Sequence, residues 1–326
     1  MTVSNLPPLV TVFGGSGFVG RYVVRALAKR GYRIRVAVRR PDLAGFLRPD
    51  GYAGQIALMQ ANLRNRQSVE RAVAGASHVV NCVGILFESG KNGFDAVQDL
   101  GAKTIAEAAA SAGARLTHIS AIGADVKSAS SYARTKARGE LAILEALPEA
   151  VILRPSIIFG KEDNFFNKFA AMARNLPFLP LIGGGNTKFQ PVFVGDVAEA
   201  VARTVDGTVA SGLTYELGGP EVMTFRQCLE TILRVTCRKR GFVSLPFGIA
   251  SLIGGVASKI PLITPPLTAD QVTLLKTDTI VSEAARSEGR TLADMGIQPT
   301  LLGNVLPHYV VHYRPQGQFT NTGKAA

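Results

Sequence analysis

One stretch near the start of the chain constrains the fold more than any other. Residues 10–20 read VTVFGGSGFVG, so that Gly14, Gly17 and Gly20 follow a β-branched apolar run with the spacing G-x-x-G-x-x-G. The run predicts a buried strand, and the amphipathic residues after it predict a helix. A helix that begins at such a turn offers backbone amides and the positive end of its dipole to a phosphate. The stretch therefore predicts a dinucleotide site, against the alternative of a glycine-rich turn that binds nothing.

Short apolar runs alternate with helical stretches through the first half of the chain. Further strands are predicted at residues 33–38, 56–60, 79–84 and 116–120. This alternation predicts an α/β fold: a Rossmann-type doubly wound parallel sheet with a smaller, mostly helical C-terminal part. The predicted boundaries place the sheet domain in residues 1–160 and 188–218, and the smaller part in residues 161–187 and 219–326.

The charge of the chain indicates an anionic partner. The 326 residues carry a formal net charge of +12, which suits a nucleotide, an acidic lipid surface, nucleic acid or an acidic protein face. The basic residues are scattered and form no dense run interleaved with aromatics, so no nucleic-acid partner is expected. Hydrophobic residues make up 47% of the chain, which indicates a globular protein.

The cysteines and the first residues bear on the compartment. Cys82, Cys228 and Cys237 lack C-x-x-C spacing, which indicates free thiols in a reducing compartment rather than a zinc site or a disulfide framework. The chain starts without the pattern of a secretory signal or an arginine-rich presequence. We therefore expect a cytoplasmic bacterial protein, or a chain that is already mature.

Two arginines end the second predicted strand. In a dinucleotide-binding unit an acidic residue at this place binds the ribose of NAD, whereas arginine accommodates a 2′-phosphate. Arg39 and Arg40 therefore predict NADP(H), with NAD(H) less favoured, and the alternative is a solvated basic pair. Asn62, after the third strand, is predicted to accept a hydrogen bond from the adenine amino group.

Tyr132 and Lys136 lie four residues apart on a predicted helix after the fifth strand, so they share one face. An ammonium close to a phenol favours the phenolate, which makes tyrosine a usable acid or base near neutral pH. The lysine could also hold a ribose hydroxyl. The alternative is an exposed helical pair, because Y-x-x-x-K is common by chance.

The glycine turn and Tyr132-x-x-x-Lys136 together resemble the short-chain dehydrogenase/reductase superfamily. Residues 153–160 (LRPSIIFG) and 193–200 (FVGDVAEA) resemble its extended and atypical branches, and the resemblance covers roughly residues 9 to 220. It implies that the turn, the tyrosine and the lysine hold the cofactor and that Ser120 belongs to the catalytic set. It extends the expected cofactor contacts to Phe18, Val19, Leu63, Val83, Gly84, Ser120 and Pro155.

Two departures from that superfamily indicate an incomplete catalytic set. Catalytic extended members carry serine or threonine two residues after the position of Ser120, where this chain has Ile122. Isoleucine cannot donate a hydrogen bond to a substrate oxygen. Gln98 stands where those enzymes usually have asparagine on the fourth helix. The nucleotide site therefore looks complete beside a reaction centre that does not.

The second half resembles one subgroup more closely, the nucleotide-binding accessory subunits of respiratory complex I of the alpha-subcomplex-subunit-nine type. The segments that carry this resemblance are residues 159–167, 191–197 and 309–319. It implies tightly held NADP(H), no established turnover, and a place near the quinone site where the peripheral arm meets the membrane arm. A bacterial relative would lie at the cytoplasmic side of the inner membrane, with complex I subunits as partners.

Two other functions remain open. The first is an NADPH-dependent reductase or epimerase on a small carbonyl, quinone or sugar-nucleotide substrate, with Tyr132 as proton donor, Lys136 as its activator and Ser120 as a hydroxyl partner; it would be cytoplasmic. The second is an NADP(H)-sensing regulator that binds a partner protein. The residues alone do not separate them.

An uncharged apolar stretch, residues 242–257, continues through Lys259 to residue 263. It is short for a membrane-spanning helix, and Pro246 interrupts it. One interpretation is a helix packed on the second domain. The other is an apolar face that docks on a membrane subunit or lies in the lipid interface, where the basic net charge would assist.

Further local patterns predict helices. Thr224 and Gln227 have the capping-box spacing for a helix that ends near Val235, and Asp196 is predicted to cap a helix that runs through Arg203. His308 and His312 lie four apart in a helix predicted to start near Pro299. No carboxylate or cysteine nearby in sequence supplies a third ligand, so no metal site is expected. Tyr309, Tyr313 and Phe319 are predicted to pack or dock.

Overall fold

A parallel sheet of seven strands organises the first part of the chain in the computed structural model, which describes residues 6–257 and 267–316. Within these ranges the strands are β1 Leu9–Phe13, β2 Arg33–Val38, β3 Ile56–Gln60, β4 His78–Asn81, β5 Arg115–Ile119, β6 Val151–Pro155, β7 Ile158–Phe159, β8 Phe178–Ile182, β9 Lys188–Phe189, β10 Val192–Phe193, β11 Thr214–Leu217, β12 Met223–Thr224 and β13 Gly241–Leu245. The helices are α1 Phe18–Lys29, α2 Arg66–Val73, α3 Leu100–Ser111, α4 Ser131–Ala146, α5 Phe166–Asn175, α6 Val194–Asp206, α7 Phe225–Val235, α8 Phe247–Ala257, α9 Ala269–Leu274, α10 Glu283–Ser287 and α11 Leu302–Val310.

The sheet has the strand order β11-β6-β5-β4-β1-β2-β3, and every pairing in it is parallel. The order reverses between β1 and β4, which is the place where open parallel sheets bind ligands. The predicted Rossmann-type α/β fold is therefore confirmed.

The central strand shows why these residues form such a sheet. Val10 and Val12 of β1 are completely buried, as is Thr11 between them. The Thr11 hydroxyl donates to the carbonyl of Ala72 in α2 at 2.8 Å, which satisfies its polar atom. A strand covered by helices on both faces needs a continuous apolar run rather than alternation.

The chain divides into two compact units. The first consists of Met1–Pro155, Val194–Leu217 and Val281–Gln298, and the second of Ser156–Phe193, Gly218–Ile280 and Pro299–Ala326. The sequence interpretation had assigned residues 281–298 to the smaller part. In the first unit this segment covers the edge of β11, because the amide of Glu216 donates to the carbonyl of Arg290 at 3.0 Å.

Aromatic rings form much of the core of the second unit. Phe165 contacts Phe166 and Phe169 edge to face, with ring centroids 5.1 Å apart in both pairs. Asp163 is buried beside them, and its Oδ1 accepts from the amide of Phe166 at 2.6 Å at the start of α5. Its Oδ2 accepts from the hydroxyl of Tyr309 at 2.5 Å, so Tyr309 packs in this core.

Two local predictions need correction, those on Asp196 and on the helix of His308 and His312. Asp196 lies inside the first turn of α6, which begins at Val194, so it does not cap that helix from outside. α11 starts at Leu302, and His312 lies in the 3-10 turn after it, so His308 and His312 do not share one α-helix. Phe319 lies outside the described residues.

The apolar stretch at residues 242–263 is only partly helical. Its start belongs to β13, which pairs with β8, and α8 follows after Pro246; residues 258–263 lie outside the described part. The interpretation of this stretch as a helix is wrong for the residues of β13, because strand pairing overrides a uniformly apolar composition. Among the described residues no helix is long and apolar enough to cross a membrane.

Candidate nucleotide-binding site

The glycine turn after β1 has a backbone conformation that a side chain at Gly14 would strain, since its φ is +73°. The amide of Gly14 donates to the carbonyl of Ala37 in β2 at 3.0 Å, and its carbonyl accepts from the amide of Gly17 at 2.9 Å. A Cβ atom at Gly14 would lie 3.1 Å from Cγ2 of Val83, which follows β4. The turn therefore lies at the carboxyl ends of the strands where the sheet order reverses.

Gly20 lets α1 approach this turn closely. A Cβ atom at Gly20 would lie 2.2 Å from the carbonyl oxygen of Gly14 and 2.7 Å from Cα of Gly15. No side chain fits in this space without moving backbone. This is the role of the third glycine in a dinucleotide-binding turn, where it lets the helix pack closely.

The N-terminus of α1 is open to an anion. Gly17 is its N-cap and supplies no side-chain hydrogen bond, and the first turn contains no acidic residue. The first amides of a helix, here those of Phe18 and Val19, have no partner within the helix. Free amides and the positive end of the dipole fit a pyrophosphate.

Arg21 is a candidate site residue that the sequence interpretation did not include. Its guanidinium donates to the carbonyls of Ser16 and Gly17, each at 3.3 Å, and so places a cation beside the glycine turn. The signal was its position directly after the third glycine.

The two arginines after β2 differ in what they contact. Arg40 forms an ion pair with Asp42, with Nη2 and Oδ2 2.7 Å apart. Arg39 is exposed, and its side chain makes no hydrogen bond or ion pair with any described residue. The structure thus leaves the Arg39 guanidinium available to a ligand, whereas Arg40 already has a carboxylate.

Asn62 lies after β3, where its side chain stabilises the turn. Its Oδ1 accepts from the backbone amide of Arg64 at 3.1 Å. The backbone amide of Asn62 donates to the hydroxyl of Ser68 at 3.0 Å. The Oδ1 atom, which is the predicted acceptor for the adenine amino group, therefore already accepts one hydrogen bond within the protein. Leu63 packs against the core of the sheet domain beside Gly101 of α3.

Lys136 is buried at the carboxyl ends of β4 and β5. Its Nζ donates to the carbonyl of Ile119 at 2.8 Å and lies 3.5 Å from where a Cβ atom of Gly84 would be. Burial lowers the pKa of Lys136 from 10.5 to about 8, although the charges of Glu140 and Cys82 act in the opposite direction. Near neutral pH the ammonium can still donate to ribose hydroxyls and favour the phenolate of Tyr132.

This lowered pKa predicts a pH dependence of stability for the nucleotide-free protein. Between about pH 8 and 10.5 the unfolded chain holds a proton on Lys136 that the folded chain has lost, so the free energy of unfolding rises through this window. Urea unfolding of the wild type and of Lys136→Met, at neutral pH and above pH 9, measures the effect. The wild type is expected to gain stability relative to the variant on raising the pH. Parallel pH profiles would contradict the lowered pKa.

Ser120 and Ile122 lie next to β6. The amide of Ser120 donates to the carbonyl of Leu153 at 2.7 Å, and that of Ile122 to the carbonyl of Pro155 at 3.0 Å. The hydroxyl oxygen of Ser120 is buried and has no hydrogen-bond partner within the described residues. A buried orphan hydroxyl marks a position that a ligand or a water would satisfy.

His118 adds a second orphan, because neither ring nitrogen has a partner among the described residues. It lies in β5 two residues before Ser120, so the two side chains face the same side of the sheet. Burial, followed by the charge of Lys136, holds the pKa of His118 well below 6.5, and the ring is neutral. No sequence signal distinguishes it from an ordinary residue of a buried strand.

Tyr132 lies in the first turn of α4, and Gln98 contacts this helix through Thr135. The ring of Tyr132 contacts Phe94 edge to face at a centroid distance of 5.9 Å. Gln98 is buried in a π-helical turn, Asp95–Asp99, that leads directly into α3. Its Nε2 donates to the carbonyl of Ile85 at 2.7 Å, and its Oε1 accepts from the Thr135 hydroxyl at 3.1 Å. Gln98 therefore joins α4 to the loop after β4.

More than half of the chain matches a known protein family. The model of the NAD dependent epimerase/dehydratase family matches residues 10–218. The chain belongs to this family. It is also similar to the NADH dehydrogenase (ubiquinone) 1 alpha subcomplex subunit 9 of Arabidopsis thaliana, 37% identical over 95% of this chain and 79% of the relative. The resemblances drawn from the motifs are thereby confirmed.

Two further likenesses bear on the fold and the chemistry. A ceramide reductase of Caulobacter vibrioides is 35% identical over 174 residues, which cover 53% of this chain and 54% of the relative. The NADPH-dependent quinone oxidoreductase QOR2 of Escherichia coli, solved with NADPH, has a TM-score of 0.70 and 20% identity over 93% of this chain and 99% of that one. At this identity the second likeness shows the fold alone. Within the described residues no group of three or more His, Cys, Asp or Glu side chains could hold a metal ion.

Proposed function

We propose that this chain is an NADP(H)-binding, non-catalytic accessory subunit of respiratory complex I. The observation that carries the proposal is the 37% identity to a complex I alpha subcomplex subunit that extends over 95% of the chain and so includes both units. A relationship confined to the nucleotide-binding turn would leave the second unit unmatched. The proposed place is peripheral, at the cytoplasmic side of a bacterial inner membrane near the junction of the two arms.

The choice of NADP(H) over NAD(H) is supported by Arg39. Its exposed guanidinium follows β2, where a 2′-phosphate would lie, and it has no carboxylate partner among the described residues. Arg40 would have to leave Asp42 to make the same contact. We therefore assign the principal phosphate contact to Arg39.

Substitution of the two arginines separates their roles. Arg39→Ala is expected to weaken NADPH binding about tenfold or more, because a charge-assisted contact is lost, and to leave NADH binding unchanged. Arg40→Ala is expected to change NADPH affinity by less than about threefold. Isothermal titration with both nucleotides measures the two ratios. Equal losses for the two variants, or an equal loss for NADH, would contradict the assignment.

The absence of catalysis is supported by the surroundings of Ser120. The residue two positions later is Ile122, which provides no hydrogen-bond donor at its side chain. The Ser120 hydroxyl itself is buried, and Gln98 is used to join α4 to a loop. Bound nucleotide would then stabilise the fold rather than react.

A second function, an NADPH-dependent reductase, is supported by the likeness to the ceramide reductase over half of the chain. In that case Tyr132 would donate the proton to a carbonyl oxygen, with Lys136 favouring its phenolate after transfer. Ser120 would be the hydroxyl that binds the same oxygen. NADPH would supply the hydride.

A Tyr132→Phe variant expressed in place of the wild type in the source cells tests the proposal. A binding subunit is expected to keep its bound nucleotide and its place in complex I, because phenylalanine retains the ring contact with Phe94. A reductase is expected to retain NADPH and lose turnover by at least about a hundredfold. Loss of a carbonyl-reducing activity from extracts of the variant, with complex I unchanged, would favour the reductase.

A further inference from the structure

In the described part of the second unit, a group of cationic side chains has no acidic partner. Arg174 lies at the end of α5, Arg234 at the end of α7, residues 238–240 before β13, and Arg314 after α11. None of these side chains forms an ion pair with any described residue. We call Arg174, Arg234, Arg238, Lys239, Arg240 and Arg314 the basic cluster.

Backbone carbonyls fix three of the six side chains of the basic cluster. The Nε atoms of Arg238, Arg240 and Arg314 donate to the carbonyls of Tyr313, Ala173 and Val235 at 2.7, 2.8 and 2.9 Å. Each bond uses one of the five N–H groups of a guanidinium, so most of its donors remain. The charge also remains, since a carbonyl does not neutralise it.

The cations also lie close enough to repel one another. Burial, followed by the charges of Arg240 and Arg174, lowers the pKa of Arg238. The guanidinium of Arg174 lies 5.5 Å from the centre of the Tyr313 ring, whose residue accepts the Arg238 bond. A set of like charges fixed in this way is a site that an anion would stabilise.

An exposed apolar face follows the basic cluster along the chain. Arg240 leads directly into β13, and α8 follows after Pro246. Ile249, Leu252 and Ile253 are 51%, 69% and 52% exposed and have the spacing i, i+3, i+4, so they lie on one face of α8. The helix contains no charged residue.

Two more exposed apolar side chains lie on β8 and β13, the second of which leads into α8. Phe178 of β8 is 55% exposed and Val243 of β13 is 45% exposed, on strands that pair directly. Cations also flank the apolar segment itself. Arg226 lies 5.2 Å from the ring centre of Phe242, and Lys276 lies 5.7 Å from that of Phe247 at the start of α8.

We propose that the second unit binds the surface of an anionic phospholipid bilayer, with the basic cluster on the phosphate groups and Ile249, Leu252 and Ile253 of α8 in the acyl boundary. This inference rests on the proposed function in one respect: the lipid surface would account for the peripheral position at a membrane that the proposed function gives the chain. Stable attachment of a protein without a spanning helix takes two signals, an apolar segment and a basic one. Both are present in the described second unit, where Arg234 and residues 238–240 directly precede β13 and α8 along the chain.

The arrangement suits lipid better than a protein partner. A protein would need acidic side chains placed opposite each fixed guanidinium, together with a groove for α8. A bilayer offers mobile phosphates that adapt to the spacing of the cations, and an acyl boundary into which the apolar face of a helix is buried by about 5–10 Å.

Flotation of the purified full chain, loaded with NADPH, on vesicles tests the proposal. One set contains phosphatidylcholine alone and the other contains one-third phosphatidylglycerol. The wild type is expected to bind the anionic vesicles, and added salt is expected to weaken this binding. Failure to bind them, or equal binding to both sets, would overturn the proposal.

Matched variants separate the two signals. Leu252→Ser is expected to weaken binding about tenfold, whereas Leu141→Ser, at a 59% exposed position of α4, is expected to leave it unchanged. Arg234→Gln with Lys239→Gln is expected to weaken binding about fivefold for each charge removed. Lys29→Gln with Lys127→Gln, two exposed lysines of the first unit, is the control. Equal effects of test and control pairs would overturn the assigned surface.

Migration of the same variants with complex I in native separations distinguishes this proposal from the proposed function. Wild-type protein that migrates with complex I but does not float with vesicles would overturn the lipid surface and leave the function standing, with a protein partner for α8. Vesicle binding by a protein that migrates alone would support the lipid surface and overturn the function.

Discussion

Replacing Gly20 with alanine is expected to abolish measurable NADPH binding and to lower the free energy of unfolding by about 3 kcal/mol. The added Cβ atom would lie 2.2 Å from the carbonyl oxygen of Gly14, which itself accepts the amide of Gly17. α1 must therefore move away from the turn, and its N-terminal amides move with it. Both the fold and the anion site depend on the same close approach.

Gly45→Ala is the matched control. Gly45 lies in the 3-10 helix Pro41–Asp50, and a Cβ atom added there would meet no other atom within 4 Å. Urea unfolding gives the stability change, and the rise of the melting temperature on adding NADPH gives the binding. A Gly20→Ala protein whose melting temperature NADPH still raises as in the wild type would show that the glycine turn is not the nucleotide site.

Removing the carboxylate of Glu140 is expected to have a second large effect, on stability. Glu140 contacts Arg154 of β6 twice, with Nε and Oε1 3.0 Å apart and Nη2 and Oε2 2.5 Å apart, and its side chain is 6% exposed. Glu140→Leu leaves a largely buried guanidinium without its partner, which costs about 3 kcal/mol. Since Glu140 also raises the pKa of Lys136, the variant is expected to lower that pKa further.

Two comparisons make the Glu140 prediction specific. Glu70→Leu removes a carboxylate that pairs with Arg66 at the surface, and it is expected to cost less than about 1 kcal/mol. Glu140→Leu combined with Arg154→Met replaces both charges by apolar groups and is expected to recover most of the loss. If the double variant is as unstable as Glu140→Leu, an unpaired Arg154 is not the cause.

The strands of the sheet could be predicted because their signal is local. β2 and β3 have the predicted bounds, and each is a short apolar or alternating run that ends at polar residues. The return of Val281–Gln298 to the first unit could not be predicted, because it depends on one edge strand, β11, accepting a distant segment. The β13 strand was missed for the same reason, since its pairing with β8 is long-range.

The candidate site divides in the same way. The glycine turn and the two arginines could be predicted from their spacing along the chain. The structure adds that Arg40 is already paired with Asp42, whereas Arg39 has no partner among the described residues. The Arg40–Asp42 pair, the orphan hydroxyl of Ser120 and the bond from Lys136 to Ile119 depend on tertiary packing that no pattern encodes. The sequence thus supplies candidate residues, and the structure shows which of their groups already have partners.

Mild-detergent extraction of membranes from the source cells, followed by native separation and mass spectrometry of each fraction, tests the central claim most directly. The proposed function predicts that the chain migrates with NADH:quinone oxidoreductase and carries NADP(H). Migration as a free protein, with no share in the complex I fractions, would contradict it.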